Sequence, residues 1–352
     1  MTTTQETRET GAQEAEEDVV LRVEGIHTNF YTTLGVVRAL NGVSFQIPRG
    51  KVLGIVGESG CGKSQTGLSI MQLVPQPGKI ESGHVWFREF ASEPAVDLLK
   101  YERNGQEMRD IRGDNISMIF QEPMTSLNPC YTIGNQIGEA IKLHQGVSKE
   151  EERKRTIDIL HKVGMPNPER IADNFPHQLS GGMRQRAMIA MALSCTPTLL
   201  IADEPTTALD VTTEAQILEL MRDLQMEIGM SIMFITHNLG VVAQMCDEVA
   251  VMYLGRVVEW ASIDDIFYDP KHPYTISLLR SIPRLGSKNS EQKTRLESIK
   301  GSVPDPYTTV TGCPFHPRCP SFMPGICDTK MPEEIHVNGN PRHTVRCHLY
   351  TE

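Results

Sequence analysis

Apolar residues fall along this chain in short unbroken runs, each followed by a polar turn and a stretch of helical periodicity. The runs at 51–57 (KVLGIVG), 116–120 (ISMIF), 198–204 (TLLIADE) and 231–237 (SIMFITH) are too short for buried helices and lack alternation. That pattern predicts strands covered on both faces, as a parallel sheet requires. Residues 19–50 instead alternate apolar and polar positions around a glycine turn and predict an antiparallel pair. Helices are expected at about 62–73, through most of 123–192 with a break near 164–168, at 212–228 and near 239–246, with a strand pair across 248–260. Residues 75–115 are polar, broken by Gly and Pro, and resist assignment. Strands alternating with helices give an α/β fold with a mostly parallel sheet. No internal repeat of fixed period is present.

A length of 352 residues suits one large domain with an appendage. The composition, 39% hydrophobic and 22% charged, is that of a globular protein. No run approaches the about 20 apolar residues that span a bilayer, so work at a membrane requires docking on another subunit. No signal peptide is expected, because the N-terminus lacks a positive start followed by an apolar run. A net charge of -10 argues against a nucleic-acid partner. Part of that charge lies in an acidic segment, 1–18, too poor in apolar residues to order itself. The expected division is 1–18 as a disordered tail, 19–283 as the main domain, and 284–352 as a polar linker with a cysteine-bearing C-terminal region.

Gly57-Glu58-Ser59-Gly60-Cys61-Gly62-Lys63-Ser64 follows the apolar run at 51–57 and opens a helical pattern. Gly, four residues, then Gly-Lys-Ser is the phosphate-binding P-loop pattern. Glycines let backbone N–H groups curl around phosphate oxygens, and the helix start adds its positive end. Lys63 brings a charge to the β- and γ-phosphates of a nucleotide, and the Ser64 hydroxyl can ligate Mg²⁺. The run at 198–204 ends in Asp203 and Glu204, at the strand end where open α/β sheets bind ligands. Asp203 is expected to hold Mg²⁺ and Glu204 to polarise the attacking water. A chance glycine turn and two solvated acids are the bland readings, and the joint occurrence of both features weighs against them.

Leu179-Ser180-Gly181-Gly182-Met183, ahead of a helical pattern, makes a second anion-binding helix start. It resembles the signature of the ABC ATPase family, with Met183 where the family commonly has Gln. Gln121 resembles the family's Q-loop glutamine, Ala208-Leu209-Asp210 its D-loop, and His237 its switch histidine. Phe30, with Tyr31 as second choice, stands at the place of the adenine-stacking aromatic. The resemblance implies a P-loop NTPase of ABC type with an antiparallel β subdomain and a helical subdomain at about 122–195. It implies two such chains paired head to tail, so that Ser180, Gly181 and Gly182 contact ATP held by the partner's P-loop. Gln121 then links the γ-phosphate and Mg²⁺ to the helical subdomain, and His237 positions Glu204 and water.

Further along, His272-Pro273-Tyr274, GSVPDP (301–306) and GCPFHPRCP (312–320) resemble the C-terminal region of oligopeptide/dipeptide importers. This resemblance implies an ATPase at the cytoplasmic face of a membrane. Its partners would be two permease subunits, a second ATPase chain (a paralogue or a second copy) and an extracytoplasmic substrate-binding protein. Nickel or oligosaccharide uptake, a soluble ABC ATPase in DNA repair or translation, and a non-hydrolysing regulatory module are the alternatives. Cys313, Cys319, Cys327 and Cys347 crowd the last forty residues without a Cys-x-x-Cys pair. They are expected to hold a four-iron four-sulfur cluster, as some members of the family do. Zinc, with His316, His343 or His348 assisting, and free structural thiols are the competing readings.

Overall fold

A computed structural model describes residues 19–121, 126–207, 209–281 and 299–351. The acidic tail at 1–18, Ala208 and most of the expected linker lie outside these residues, as do positions 122–125 directly after Gln121.

The described elements run β1 (Val19–Thr32), β2 (Gly35–Pro48), β3 (Val52–Val56), α1 (Lys63–Ile70), β4 (Gly78–Phe87), β5 (Val96–Asp97), α2 (Gln106–Ile111) and β6 (Ile116–Ile119). Four helices follow: α3 (Ile133–Gln145), α4 (Lys149–Lys162), α5 (Pro168–Ala172) and α6 (Gly181–Leu193). Then come β7 (Leu199–Asp203), α7 (Val211–Ile228), β8 (Ser231–Ile235), α8 (Leu239–Met245), β9 (Glu248–Tyr253) and β10 (Arg256–Ser262). The chain closes with α9 (Ile263–Tyr268), α10 (Pro273–Arg280), β11 (Ile335–His336) and β12 (Thr344–Val345).

β9, β3, β8, β7 and β6 are neighbours in that order and pair in parallel. Their two faces enter different cores. Val52 and Val56 of β3, Leu200 and Ala202 of β7, and Ile232 and Phe234 of β8 pack toward the helical side. The alternate residues Leu53, Ile55, Leu199, Ile201, Met233 and Ile235 pack toward α1 and the antiparallel sheet. Both faces are apolar because both are covered, which explains the unbroken runs. The second sheet, β2-β1-β4-β5, is antiparallel and claims part of the stretch that resisted assignment.

α3 to α6 carry the region expected to be helical. Caps define their starts: Thr132 accepts from the Asn135 N–H, Ser148 from Glu151 and Ser180 from Met183. α3 ends on Gly146 in the left-handed conformation, φ 58°.

The C-terminal residues join the main sheet. β12 pairs with β10 through Glu259–Val345 and Trp260–Thr344, and β11 covers β12. Beneath this edge Glu259 is fully satisfied. Its carboxylate accepts the backbone N–H groups of Lys271 and His272 at 2.7 and 2.9 Å, and lies 3.1 Å from His343 Nε2. Phe315 enters the same core as the helical face of the sheet.

Candidate functional site

The chain leaves β3 at Val56 and turns through the glycine-rich loop into α1. Gly57, Gly60 and Gly62 take φ values of 150°, 80° and 101°. A Cβ at Gly57 would stand 2.2 Å from the Met252 carbonyl oxygen, and one at Gly62 would stand 2.5 Å from that of Ala39. Only glycine fits both positions. Gly62 caps α1 without a side chain, so the first-turn N–H groups stay available to an anion. A cavity of about 320 Å³ opens over them, lined by Ser59, Gly60, Gly62, Lys63 and Ser64. Glu58 and Cys61 are turned away from it. Cys61 is buried, and burial pushes its thiol up. Lys63 Nζ donates to the carbonyls of Gly57 and Glu58 at 2.8 and 3.0 Å.

Asp203 ends β7 and accepts from the Ser64 hydroxyl at 3.0 Å. Burial pushes its carboxyl up, and the Ser64 hydrogen bond offsets that only in part. A half-buried hydroxyl–carboxylate pair beside a phosphate cradle has the oxygen donors that Mg²⁺ takes.

Glu204 has a left-handed backbone, φ 47°, held by its N–H to the Ile235 carbonyl at 2.9 Å. This bend turns its side chain into the cavity. One carboxylate oxygen accepts from Gln121 Nε2 at 3.1 Å and Thr207 Oγ1 at 2.9 Å; the other meets His237 Nδ1 at 3.1 Å. Burial pushes this carboxyl up, but the His237 and Thr207 hydrogen bonds and the Lys63 charge outweigh it. Glu204 therefore stays below the ordinary carboxylate range, ionised and able to accept a proton. The loop after β3, Gln121 after β6, Glu204 after β7 and His237 after β8 thus meet at the carboxyl ends of the parallel strands.

The remaining expected residues lie elsewhere. Ser180 caps α6 and is exposed with Gly181, while Leu179 beneath them is buried. Ser180, Gly181 and Gly182 do not line the cavity. Asp210 caps α7 on the surface, and hydrogen bonds from Thr213 hold its carboxyl low. Neither Phe30 nor Tyr31 lines the cavity; the Tyr31 hydroxyl donates to Glu81 at 2.8 Å. The wall on that side includes Asp305, Pro306, Thr308, Thr309 and Val310, which sequence reasoning did not place there. Arg38 donates to Thr309 at 2.9 Å and holds this segment over the turn end of β2.

The iron–sulfur expectation is corrected. Cys313, Cys319, Cys327 and Cys347 do share one pocket, but its open volume is about 10 Å³. That is the room of about one water molecule. Burial pushes the Cys313 thiol up to about 11 and that of Cys347 up to about 12, so without a metal both are neutral thiols. Among the described residues no group of three or more His, Cys, Asp or Glu is arranged to hold a metal ion. Zinc fails on the same ground. His316 is bonded to the Cys313 carbonyl, His343 to Glu259 and His348 to the Lys330 carbonyl. The four cysteines act as small apolar side chains packed around Phe315 and Met323.

A glycine cradle, a hydroxyl–carboxylate pair and an ionised glutamate at the carboxyl ends of the parallel strands define a P-loop nucleoside triphosphatase. The family model described as "ABC transporter" matches residues 40–207, and "Oligopeptide/dipeptide transporter, C-terminal region" matches 258–327. The chain is 49% identical to a probable peptide ABC transporter ATP-binding protein of Sinorhizobium fredii, over 94% of this chain and 95% of that one. It is also 49% identical to the dipeptide transport ATP-binding protein DppD of Bacillus subtilis, over 94% of each. The dimeric post-hydrolysis structure of the ATP-binding cassette MJ0796 with ADP and Pi superimposes with a TM-score of 0.60 at 27% identity, covering 69% of this chain and 98% of that one. The chain belongs to the ATP-binding proteins of the ABC transporter family, in the branch with the oligopeptide/dipeptide C-terminal region, and is an ATPase. No helix among the described residues is long and apolar enough to cross a membrane.

Proposed function

We propose that this chain hydrolyses ATP to drive uptake of peptides through separate membrane subunits. The observation that carries the ATPase half is Gln121 and Glu204 lining the cavity floored by the P-loop, with His237 held against Glu204. The relatives named for peptide and dipeptide transport support the cargo class.

In this reading Ser59, Gly60 and Gly62 present backbone N–H groups to the phosphates, and Lys63 shifts from loop carbonyls to phosphate oxygens. Ser64 and Asp203 would hold Mg²⁺, with Gln121 beside them, and the ion would supply neutralisation of phosphate charge. Glu204 accepts the proton of the attacking water, and His237 orients Glu204. Phe30 is the proposed partner of the adenine ring, with Tyr31 as the alternative, in a nucleotide-bound arrangement.

Ser180, Gly181 and Gly182 would cap ATP bound to a second ATPase chain, a paralogue or another copy, with Asp210 beside that junction. The exposure of Ser180 and Gly181, and the absence of all three from the lining of this chain's own cavity, support that assignment. Dividing the site makes turnover depend on closure of the pair. The region 122–195 would dock on the permease pair at the cytoplasmic membrane surface, and an extracytoplasmic binding protein would deliver the peptide. Nucleic acid has no part in this reading.

The test is peptide uptake into vesicles holding the permease pair and both ATPase chains. Uptake should require ATP and vanish with Lys63→Ala. Uptake that persists with Lys63→Ala would sink the proposal.

A further inference from the structure

We infer that Arg318 and Tyr274, both from the C-terminal region, are positioning residues that set the phosphate-binding loop through Glu58. The inference rests on the ATPase reading and adds to it a role for residues outside the P-loop and the catalytic strands.

Glu58 has its backbone and side-chain polar groups engaged away from the cavity. Its N–H donates to the Tyr274 hydroxyl at 2.8 Å. Its carbonyl accepts from Lys63 Nζ at 3.0 Å. Its carboxylate takes two hydrogen bonds from the Arg318 guanidinium, at 2.6 and 2.9 Å, across 260 residues of sequence. Paired N–H donors on a carboxylate fix orientation as well as distance. The Arg318 side chain is only 4% exposed and that of Glu58 25%, so water competes weakly for this pair.

Both anchors are seated in rigid packing. Tyr274 is fully buried in α10, its ring 4.7 Å from Tyr253 and 5.3 Å from Phe315. The Arg318 guanidinium lies 5.9 Å from the Tyr253 ring centroid and reaches its hydroxyl at 3.4 Å. His272 starts α10 by accepting the Tyr274 N–H at 3.0 Å, which orients the tyrosine toward the loop.

The anchors gain weight when ATP binds. Lys63 must then leave the Gly57 and Glu58 carbonyls to reach phosphate. Glu58 then keeps the Cys61 N–H on its carbonyl, at 3.3 Å, and Arg318 and Tyr274 are its remaining ties to the rest of the fold. A loop displaced by even about 1 Å loses the alignment on which phosphoryl transfer rests.

The test uses the full chain with MgATP, reading the dissociation constant, KM and kcat, and separately the thermal midpoint without nucleotide. Arg318→Ala should weaken MgATP binding about tenfold or more while the nucleotide-free midpoint moves little. Tyr274→Phe keeps the packed ring, loses only the hydroxyl, and should weaken binding in the same direction. Arg318→Lys should recover part of the loss, and Arg318→Ala combined with Glu58→Gln should be no worse than the weaker single variant. Wild-type binding and turnover in both Arg318→Ala and Tyr274→Phe would overturn the inference. So would additive losses in the double variant, or a lowered midpoint with unchanged affinity and turnover. A wild-type chain that neither binds nor hydrolyses MgATP overturns the ATPase reading as well, which separates the two failures.

Discussion

Nδ1 of His237 stands 3.1 Å from Oε1 of Glu204, joining the ends of β8 and β7. The contact does two things at once. It aims the carboxylate, and it helps hold that carboxylate ionised against its own burial.

Glu204→Gln keeps the side-chain volume and an accepting oxygen but removes the base. The variant should bind MgATP near wild-type affinity and lose about a hundredfold or more of turnover, the ordinary contribution of a general base. Equilibrium binding beside steady-state ATPase rates checks this. Wild-type turnover would remove Glu204 from the chemistry.

Ser180 lies outside the chain's own cavity, so its effect on nucleotide should appear only in the pair. Ser180→Arg should leave MgATP binding by the single chain within about twofold, abolish ATPase activity of the assembled transporter, and cost about 1 kcal/mol through the lost helix cap. Weakened binding by the isolated chain would instead place the signature in the same site as the P-loop.

Gly57→Ala should fail sterically rather than chemically. The added methyl meets the Met252 carbonyl at 2.2 Å and Cys61 Sγ at 2.9 Å, at a φ that L-residues avoid. We expect a loss of at least about 2 kcal/mol in denaturant unfolding, at the upper end of ordinary point substitutions. An unchanged unfolding midpoint would show that the loop can move away from β9.

Burial holds His272 down to about 4, only partly offset by the Glu259 charge. The ring folds neutral, whereas an unfolded histidine titrates near 6.5. The stability tied to the neutral ring is therefore fully present above about pH 6.5 and is lost as pH falls toward about 4, by about 3 kcal/mol in all. The thermal midpoint should drop more between pH 7.5 and pH 5 in wild type than in His272→Asn, which can cap α10 without titrating. Equal drops would assign the acid sensitivity to other groups.

Local chemistry was readable in the sequence where one short stretch carries it. The 57–64 loop, the Asp203–Glu204 pair and the apolar runs feeding them are contiguous, and their spacing names the fold. Long-range contacts were not readable. Nothing in the codes at 58 and 318 pairs them, and no pattern announced that 305–310 walls the cavity. The cysteines misled for a different reason: crowding along the chain suggested ligation, whereas their burial around Phe315 keeps them as packed thiols. Residues 75–115 resisted assignment because β4 is only half covered and β5 spans two residues.

The outer strands β11 and β12 cap what would otherwise be the sticky rim of the whole molecule. β10 is a seven-residue strand bearing Val257, Val258 and Trp260, and without its two-residue covers its open N–H and C=O groups would template pairing with a neighbouring molecule. A polypeptide released early, short of position 335, would therefore meet the cell as an aggregation seed rather than as a weakened motor.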